Sequence, residues 1–321
     1  DLCMTKLGFL SFGNWMGVTG SRTRTGGEAL LQGVELAVAA EEVGVDGAFY
    51  RVHHFAQNHS NPFPMMAAAA ARTSRIELGT GVIDMRYENP LYMVEDAGAA
   101  DLISGGRLQL GISRGSPEQV IDGWRSFGYE PKEGETDADM GRNKALEFLD
   151  KLNGEGFAEP NPYPMFPNPP GLLRIEPHSE GLRERIWWGA ASNATAVWAA
   201  ENGMHLQSST LKYDENGKPF HVQQAEQIRL YKEAWKNAGH QREARVSVSR
   251  SIFALVNEQD RYYFGGQAKG NDSFGYIEQD KRAIFGKSYA AEPDKLIEEL
   301  AQDEAIQEAD QFNDSKEMKY N

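Results

Sequence analysis

Short apolar segments alternate with longer helical segments along most of the chain, and this alternation limits the possible folds more than any other feature. The strand-like segments lie at 6–12, 45–50, 75–82, 107–113, 185–191, 204–209 and 245–256. The helical segments lie at 26–44, 64–74, 89–104, 136–152, 192–203, about 221–238 and 292–310. Strands that are joined through helices by short connections run parallel, with right-handed crossovers. The order therefore predicts an α/β protein.

Seven strands and about seven helices in one series favour a (β/α)8 TIM barrel with insertions. We expect residues 1–321 to form a single barrel domain, with excursions at about 153–185 and 257–290. The first excursion is rich in proline, and the second is polar and predicted to be irregular. A doubly wound open sheet is the alternative. No GxGxxG sequence follows the first strand, which weakens a dinucleotide-binding interpretation.

The C-terminal end of the chain supplies no evident eighth strand. After the helix at 292–310 the sequence is QFNDSKEMKYN, which is too polar for a strand that is buried on both faces. Either an end of the barrel is missing from this chain or the count of strands is wrong. A missing strand would expose backbone groups along 6–12 and 246–256, and we expect a dimer to cover part of these edges.

The composition argues against several classes of partner. A net charge of −14 disfavours nucleic acid and anionic membranes, since both bind to positively charged faces. No apolar run approaches the roughly 18 residues that a membrane span needs, and the N-terminus has no signal-peptide pattern. The single cysteine, Cys3, allows no internal disulfide and fits a reducing compartment. We therefore expect a cytoplasmic protein.

Polar and glycine-rich residues lie at the carboxyl ends of four predicted strands. They are His53–His54 after the second strand, Gly79–Val82 at the third, Gly111–Ser116 at the fourth and Ala190–Thr195 after the fifth. In a parallel barrel these ends form the active-site face. We therefore expect the four loops to meet at one mouth.

Two of these loops suggest a site for a phosphate group. Ser192 stands where a helix N-cap belongs, and Thr195 lies within the first turn of that helix. Free backbone N–H groups and the helix dipole attract an anion there. Ser192 could also be a simple cap, and Arg114, at the end of the neighbouring strand, a surface arginine. Because an arginine can pair bidentately with phosphate, the three residues together suggest a phosphate-bearing cofactor.

Several longer segments share the order and spacing of one known family. They are VDGAFYRVHHF, NPF, RIELGTGV, ENPLYMVEDAGAADLISGGRLQLGISRG and ASNATAVWAAENG. On these segments the chain resembles the luciferase-like flavin monooxygenases, the family of the bacterial luciferase subunits. The resemblance covers residues 6–210 and fades through the C-terminal third. The long block that ends in GISRG is specific, whereas HHF alone is a weak signal.

The resemblance implies a flavin cofactor, FMN, and assigns residues to it. The Gly81–Val82 bond matches the non-proline cis peptide that lies beneath the isoalloxazine ring. Arg114, Ser192 and Thr195 match the positions that hold the flavin phosphate. Ala191 stands where the family has a glutamate beside the phosphate-binding serine.

The resemblance also implies catalytic positions. His53 matches the histidine that acts near the flavin as an acid or a base. Ser113 occupies a position near the reactive flavin carbon, where luciferases commonly carry cysteine. Val52 replaces the glutamate of the usual EHH sequence. This departure and the one at Ala191 concern the luciferase-type substrate chemistry and not flavin binding.

The three histidines at 53, 54 and 59 have three interpretations, namely metal ligands, a catalytic base or packing. No carboxylate or cysteine lies at a useful spacing from them, so we expect no metal site. Adjacent residues of an extended segment point to opposite sides, so one histidine of the pair should face the site. We favour His53 as the acid or base, since histidine titrates near neutral pH, and His54 as a structural residue.

These observations predict an FMN-dependent monooxygenase that uses reduced flavin and O2 to oxidise a small organic substrate. The resemblance implies that a separate NAD(P)H:flavin reductase supplies the reduced flavin and that the protein is a homodimer. A deazaflavin-dependent hydride-transfer oxidoreductase, which shares the family's barrel, is one alternative. A flavin-binding protein without turnover is another.

Overall fold

The computed structural model describes residues 5–278 and 280–315. The strands are β1 (Lys6–Ser11), β2 (Gly47–Tyr50), β3 (Glu77–Thr80), β4 (Ile83–Asp84), β5 (Leu108–Ser113), β6 (Ile186–Gly189), β7 (His205–Ser208), β8 (Leu211–Tyr213), β9 (Val246–Arg250), β10 (Ile252–Ala254), β11 (Ser273–Glu278), β12 (Lys281–Phe285), β13 (Tyr289–Ala291) and β14 (Gln311–Asp314). The α-helices are α1 (Gly26–Glu42), α2 (Pro62–Ala71), α3 (Pro90–Ser104), α4 (Asp137–Lys151), α5 (Asn193–Glu201), α6 (Phe220–Asn237), α7 (Glu258–Phe264), α8 (Pro293–Ala301) and α9 (Glu304–Glu308).

Eight parallel strands close into a barrel, which confirms the predicted (β/α)8 class. Around the barrel the order is β1, β2, β3, β5, β6, β7, β9 and β14, and then β1 again. The β3–β5 pair joins Leu78 to Leu108, and the β14–β1 pair joins Gln311 to Lys6. Apolar residues of the strands and of the surrounding helices form one large buried cluster between them. None of the described helices is long and apolar enough to cross a membrane.

The eighth strand is present, so the expectation of a missing or overly polar barrel end was wrong. Strand β14 has the sequence QFND and pairs in parallel with both β1 and β9. Its polar residues are buried and paired, because Arg245 donates to Gln311 Oε1 at 2.6 Å and Gln311 donates to Asn313 Oδ1 at 3.1 Å. Strands β1 and β9 therefore have native neighbours on both sides, and the exposed edges expected there do not exist. The segment KEMKYN lies outside the described residues.

The region after β9 contains more regular structure than predicted. Residues 257–290, expected to be irregular, include α7 and the hairpin of β11 and β12. Strand β12 pairs antiparallel with β8, which gives these polar strands backbone partners that local hydropathy does not reveal. The helix predicted at 292–310 is two helices, because Asp303 interrupts it. Its carboxylate accepts from Ile306 N–H as the cap of α9 and from Arg250 Nε at 2.9 Å.

Side-chain hydrogen bonds cap the N-termini of α1, α2 and α3 and fix where these helices begin. Thr25 and Glu28 form a reciprocal capping box on α1. Asn61 and Asn89 each cap a helix whose first residue is a proline, at α2 and α3. The cap of α3 at its other end is Gly105 with φ 68°, a conformation that favours glycine. These signals are local, which is why the helices of the first half begin close to where the sequence predicts them.

Candidate functional site

The carboxyl ends of the barrel strands surround a cavity of about 170 Å³, which we call the inner cavity. Gly81, Val82, Ser113 and Ala191, all predicted as site residues, line it. The loops after strands 3, 4 and 5 of the sequence therefore meet at one mouth as expected, whereas His53 and His54, expected there as well, do not line this cavity. The other walls are mostly small or apolar, with Leu10, Phe49, Gly189, Ala190 and Leu211, and several serines at strand ends.

The peptide bond between Gly81 and Val82 is cis, as the resemblance implied. Gly81 N–H donates to the carbonyl of Tyr50 at 2.9 Å, which ties this bond to the end of β2. Gly189 of β6 lies against Val82, and a Cβ on Gly189 would stand 2.9 Å from Val82 Cγ1. Only a glycine gives Val82 this room. The position of a flavin ring above this bond stays a prediction.

Polar groups of the inner cavity are partly fixed and partly unpaired. Ser113 Oγ accepts from Gly115 N–H at 3.1 Å. The amide nitrogen of Gln207 donates to the carbonyl of Thr80 at 3.0 Å, which fixes the side chain across the barrel. Its oxygen is buried and has no hydrogen-bond partner among the described residues. Buried acceptors are normally paired, so an unpaired one beside a cavity is consistent with a ligand site.

A second and larger cavity of about 660 Å³, the outer cavity, adjoins the inner one through Gly115 and Ser116. Arg114 lines the outer cavity. Its guanidinium donates to the Tyr213 hydroxyl at 3.3 Å, and Tyr213 N–H donates to the carbonyl of Ala191 at 2.9 Å. Tyr213 therefore links Arg114 to the residue before the N-cap of α5, although the structure gives no direct bond from Arg114 to Ser192 or Thr195.

The start of α5 carries the predicted anion-binding groups. Ser192 is its N-cap and accepts from Thr195 N–H at 3.1 Å, and the two hydroxyl oxygens lie 2.9 Å apart. The simple capping role of Ser192 is therefore real. One backbone N–H group of this first turn already has an acceptor, because Asn193 N–H donates to the carboxylate of Glu215 at 3.1 Å. An incoming anion would meet this carboxylate at the helix start.

The histidine pair differs from the prediction in one respect. His54 is buried and stacks on Tyr87, with ring centroids 4.1 Å apart, as expected of a structural residue. His53 is half-buried but lines neither cavity. Burial lowers the pKa of His53 to about 4, and the charges of Arg51 and His54 act in the same direction. His53 is therefore neutral at pH 7, so the argument that it titrates near neutrality was wrong.

His59 is a packing residue. Its ring is buried, makes an edge contact with Tyr50 at 5.6 Å between centroids, and has a pKa lowered by burial to about 4. Across residues 5–278 and 280–315, no group of three or more histidine, cysteine, aspartate or glutamate side chains is arranged to hold a metal ion.

Sequence reasoning missed two charged residues at the mouth. Arg51, which follows β2, lines the inner cavity. Glu118, in the loop after β5, lines the outer cavity, and its pKa is raised to about 7 by burial and by the charge of Asp84, against the opposing charges of Arg86 and Arg51. Arg51 directly follows β2, and Glu118 lies in the loop that follows β5, so both belong to the carboxyl ends of barrel strands where active-site residues are expected. Neither belongs to the segments predicted from the sequence, His53–His54 and Gly111–Ser116.

One family of known proteins matches most of the chain. The luciferase-like monooxygenase family matches residues 7–263. The alkanal monooxygenase alpha chain of the Kryptophanaron alfredi symbiont is 27% identical over 220 residues, which cover 66% of this chain and 56% of that protein. The oxygenase component of the flavin-dependent trigonelline monooxygenase of Acinetobacter baylyi is 28% identical over 196 residues, which cover 56% and 48%. The chain thus spans about half the length of these curated relatives.

Solved structures share the barrel. The monooxygenase RslO1 from Streptomyces bottropensis has a TM-score of 0.65 at 19% identity, covering 97% of this chain and 92% of that one. The FMN-bound oxygenating constituent of 3,6-diketocamphane monooxygenase from Pseudomonas putida has a TM-score of 0.61 at 20% identity, covering 81% and 71%. An F420-dependent secondary alcohol dehydrogenase has a TM-score of 0.65 at 15% identity, covering 97% and 93%. These likenesses concern the fold, and the match over residues 7–263 shows that the chain belongs to the luciferase-like monooxygenase family.

Proposed function

We propose that the protein is an FMN-dependent monooxygenase that uses reduced flavin and O2 to oxidise a small organic substrate. The observation that carries the proposal is the inner cavity, where the cis bond Gly81–Val82, Ser113 and Ala191 meet beside a second cavity lined by Arg114. Membership of the family and the flavin-dependent relative support it.

The donors and walls of the site fit FMN. Small and apolar walls suit a planar ring, and the unpaired oxygen of Gln207 is an acceptor for a ring N–H. The phosphate would bind to the guanidinium of Arg114, which Tyr213 links to Ala191, and to the hydroxyls of Ser192 and Thr195 at the start of α5. The carboxylate of Glu215 at the same helix start opposes it.

Bound reduced FMN would supply the electrons that activate oxygen. The chain's own contribution is to position the ring and substrate and to exclude water. Ser113, fixed by Gly115 N–H, holds a hydroxyl in the inner cavity. His53 lines neither cavity and is neutral at pH 7, so in the proposed acid or base role it would first accept a proton and would not act as a permanent cation. The outer cavity, at about 660 Å³, has room for a small organic substrate.

Binding experiments test the cofactor assignment. We expect FMN to bind more tightly than riboflavin. Arg114→Ala should weaken FMN binding by about ten- to a hundredfold, since it removes a charge-assisted pair of roughly 1.5–3 kcal/mol, and should leave riboflavin unaffected. Titration of flavin fluorescence measures both. Arg125→Ala is the matched control, because Arg125 pairs with Glu130 on the surface. Equal affinities for FMN and riboflavin would refute the phosphate site.

Oxygen uptake then tests turnover. Protein loaded with FMN and reduced under nitrogen should consume O2 on mixing, and a panel of small organic molecules should be screened for an oxygenated product. FMN binding without any product would favour a flavin-binding protein without turnover. We also propose a separate NAD(P)H:flavin reductase as partner, a homodimer and a cytoplasmic location. The relative's designation as an oxygenase component supports the two-component scheme.

A deazaflavin-dependent hydride-transfer enzyme is the second candidate. The outer cavity is large enough for a bigger cofactor, and Arg114, Arg142 and Lys281 in its wall could contact anionic groups, although Glu118, Asp122 and Asp137 line the same cavity. Competition between FMN and a deazaflavin in the same fluorescence titration separates the two candidates.

A further inference from the structure

Arg51 has a special place among the residues of the inner cavity. Among the described residues it is the one charged side chain that lines this cavity, and the other polar groups there are neutral hydroxyls and amides. Its guanidinium lies 4.9 Å from the centroid of the Phe12 ring. A guanidinium keeps its positive charge at any pH near neutrality, so Arg51 is a permanent cation in a wall whose other described residues are uncharged.

The charge of Arg51 acts across the mouth of the barrel. It lowers the pKa of His53 and opposes the raised pKa of Glu118, which lines the outer cavity. Small and apolar walls around it, such as Leu10, Phe49 and Val82, keep the local dielectric low. In such surroundings a fixed cation stabilises a nearby anion much more than it would in water.

We propose that Arg51 selects the reduced, anionic form of the flavin over the oxidised form in the inner cavity. This inference rests on the proposed function. The oxidised isoalloxazine ring is neutral, and addition of two electrons and one proton gives a ring with a single negative charge. The ring would therefore gain an attractive interaction with Arg51 only on reduction. Such selection suits an enzyme that receives its flavin already reduced by another protein.

The test compares the affinities for oxidised and reduced FMN in four proteins. These are the wild type, Arg51→Met, Arg51→Lys and the control Arg72→Met, which removes an equal charge from the pair of Arg72 with Glu35 outside the barrel. Oxidised FMN is titrated by fluorescence. Reduced FMN, prepared with dithionite under nitrogen, is measured by ultrafiltration. Thermal unfolding checks that each variant is folded.

We expect Arg51→Met to lower the ratio of reduced to oxidised affinity at least tenfold, which corresponds to about 30 mV in the two-electron potential of the bound flavin. Arg51→Lys should keep most of the ratio, and Arg72→Met all of it. If the wild type binds FMN and the ratio is unchanged in Arg51→Met, the role of Arg51 is refuted while the proposed function stands. A wild type that binds no flavin would overturn the inference together with the proposed function. If Arg51→Met does not fold, Arg51→Glu replaces it, and a ratio in Arg51→Glu equal to that of the wild type counts against the role of Arg51.

Discussion

The two ends of the barrel interior are built on opposite principles. At the amino-terminal end, Glu77 of β3 accepts from both terminal nitrogens of Arg245 at 2.8 and 2.9 Å and from Gln109 at 2.8 Å. Arg245 also donates to Gln311, and Gln109 accepts from the indole N–H of Trp187 at 2.8 Å. Side chains from four strands and that of Arg245, which directly precedes β9, thus satisfy one another and fill this end.

The carboxyl end is open and incompletely paired. The Gln207 oxygen, His53 Nδ1 and Asn193 Oδ1 are buried there without a hydrogen-bond partner among the described residues. The cavities replace the side chains that fill the other end. The comparison teaches that polar groups in one barrel serve two purposes. Where they satisfy one another they stabilise the fold, and where they are left unpaired they are available to a ligand.

The largest expected effect is a loss of stability when a charged partner is removed at the filled, amino-terminal end of the barrel. Glu77→Ala leaves Arg245 without its carboxylate partner, and both side chains are largely buried, at 15% and 22% exposed. We expect a loss of about 3 kcal/mol in the free energy of unfolding, measured in urea, with flavin affinity unchanged. A loss of flavin affinity in a variant of normal stability would mean that the two ends are not separable.

The same carboxylate gives the filled end an acid dependence. Burial alone would raise the pKa of Glu77, but its bonds and charge interactions with Arg245 and Lys6 outweigh burial and lower it. Its stabilising contribution is therefore present above the unfolded-state pKa of about 4.3 and is lost as pH falls through the lower folded-state value. The Glu77→Ala protein should lose less stability than the wild type over this acid range.

An intermediate effect should separate the two histidines of the open end. His53→Ala should lower turnover about a hundredfold with little change in flavin affinity. His54→Ala removes a buried ring stacked on Tyr87 and should cost roughly 2 kcal/mol of stability. Steady-state kinetics and urea unfolding on both variants decide the assignment. The reverse pattern would place His54 in the catalytic role.

The smallest effect concerns the rim of the open end. Glu215→Gln keeps the bond to Asn193 N–H but removes the negative charge at the start of α5. We expect FMN affinity to rise about two- to fivefold, in line with the 0.3–1 kcal/mol typical of a charge at a helix terminus. Riboflavin, which has no phosphate, is the control ligand. An equal gain for riboflavin would show that Glu215 does not sense the phosphate.

Sequence reasoning identified four residues in the wall of the inner cavity at the open end and little of the filled end. Gly81, Val82, Ser113 and Ala191 were found because strand ends must meet at one face of a parallel barrel. Strand β14 was missed because the prediction required a strand buried on both faces to be apolar. Its inward residues instead meet polar partners on distant strands, as Gln311 meets Arg245, and such pairing has no local signal.

Arg51 shows a different reason for a miss. It stands one residue beyond β2, where the chain leaves the strand and the alternation of inward and outward side chains ends. Which of Arg51, Val52 and His53 turns into the cavity depends on the path of that loop. The sequence predicts that such a residue lies near the active-site face, but only the tertiary structure shows which way its side chain points.

The pairing of β1 with β14 also has a consequence for synthesis of the protein. Lys6 lies opposite Gln311, so the strands that close the barrel are about 300 residues apart in the chain. At roughly 5–20 residues per second, a ribosome needs about 15–60 s to deliver β14 after β1. During that interval β1 can pair with β2, but its other edge has no native neighbour. The nascent chain is therefore most prone to aggregation just before its final strand emerges, when nearly all of the sheet has been made and the ring is still open.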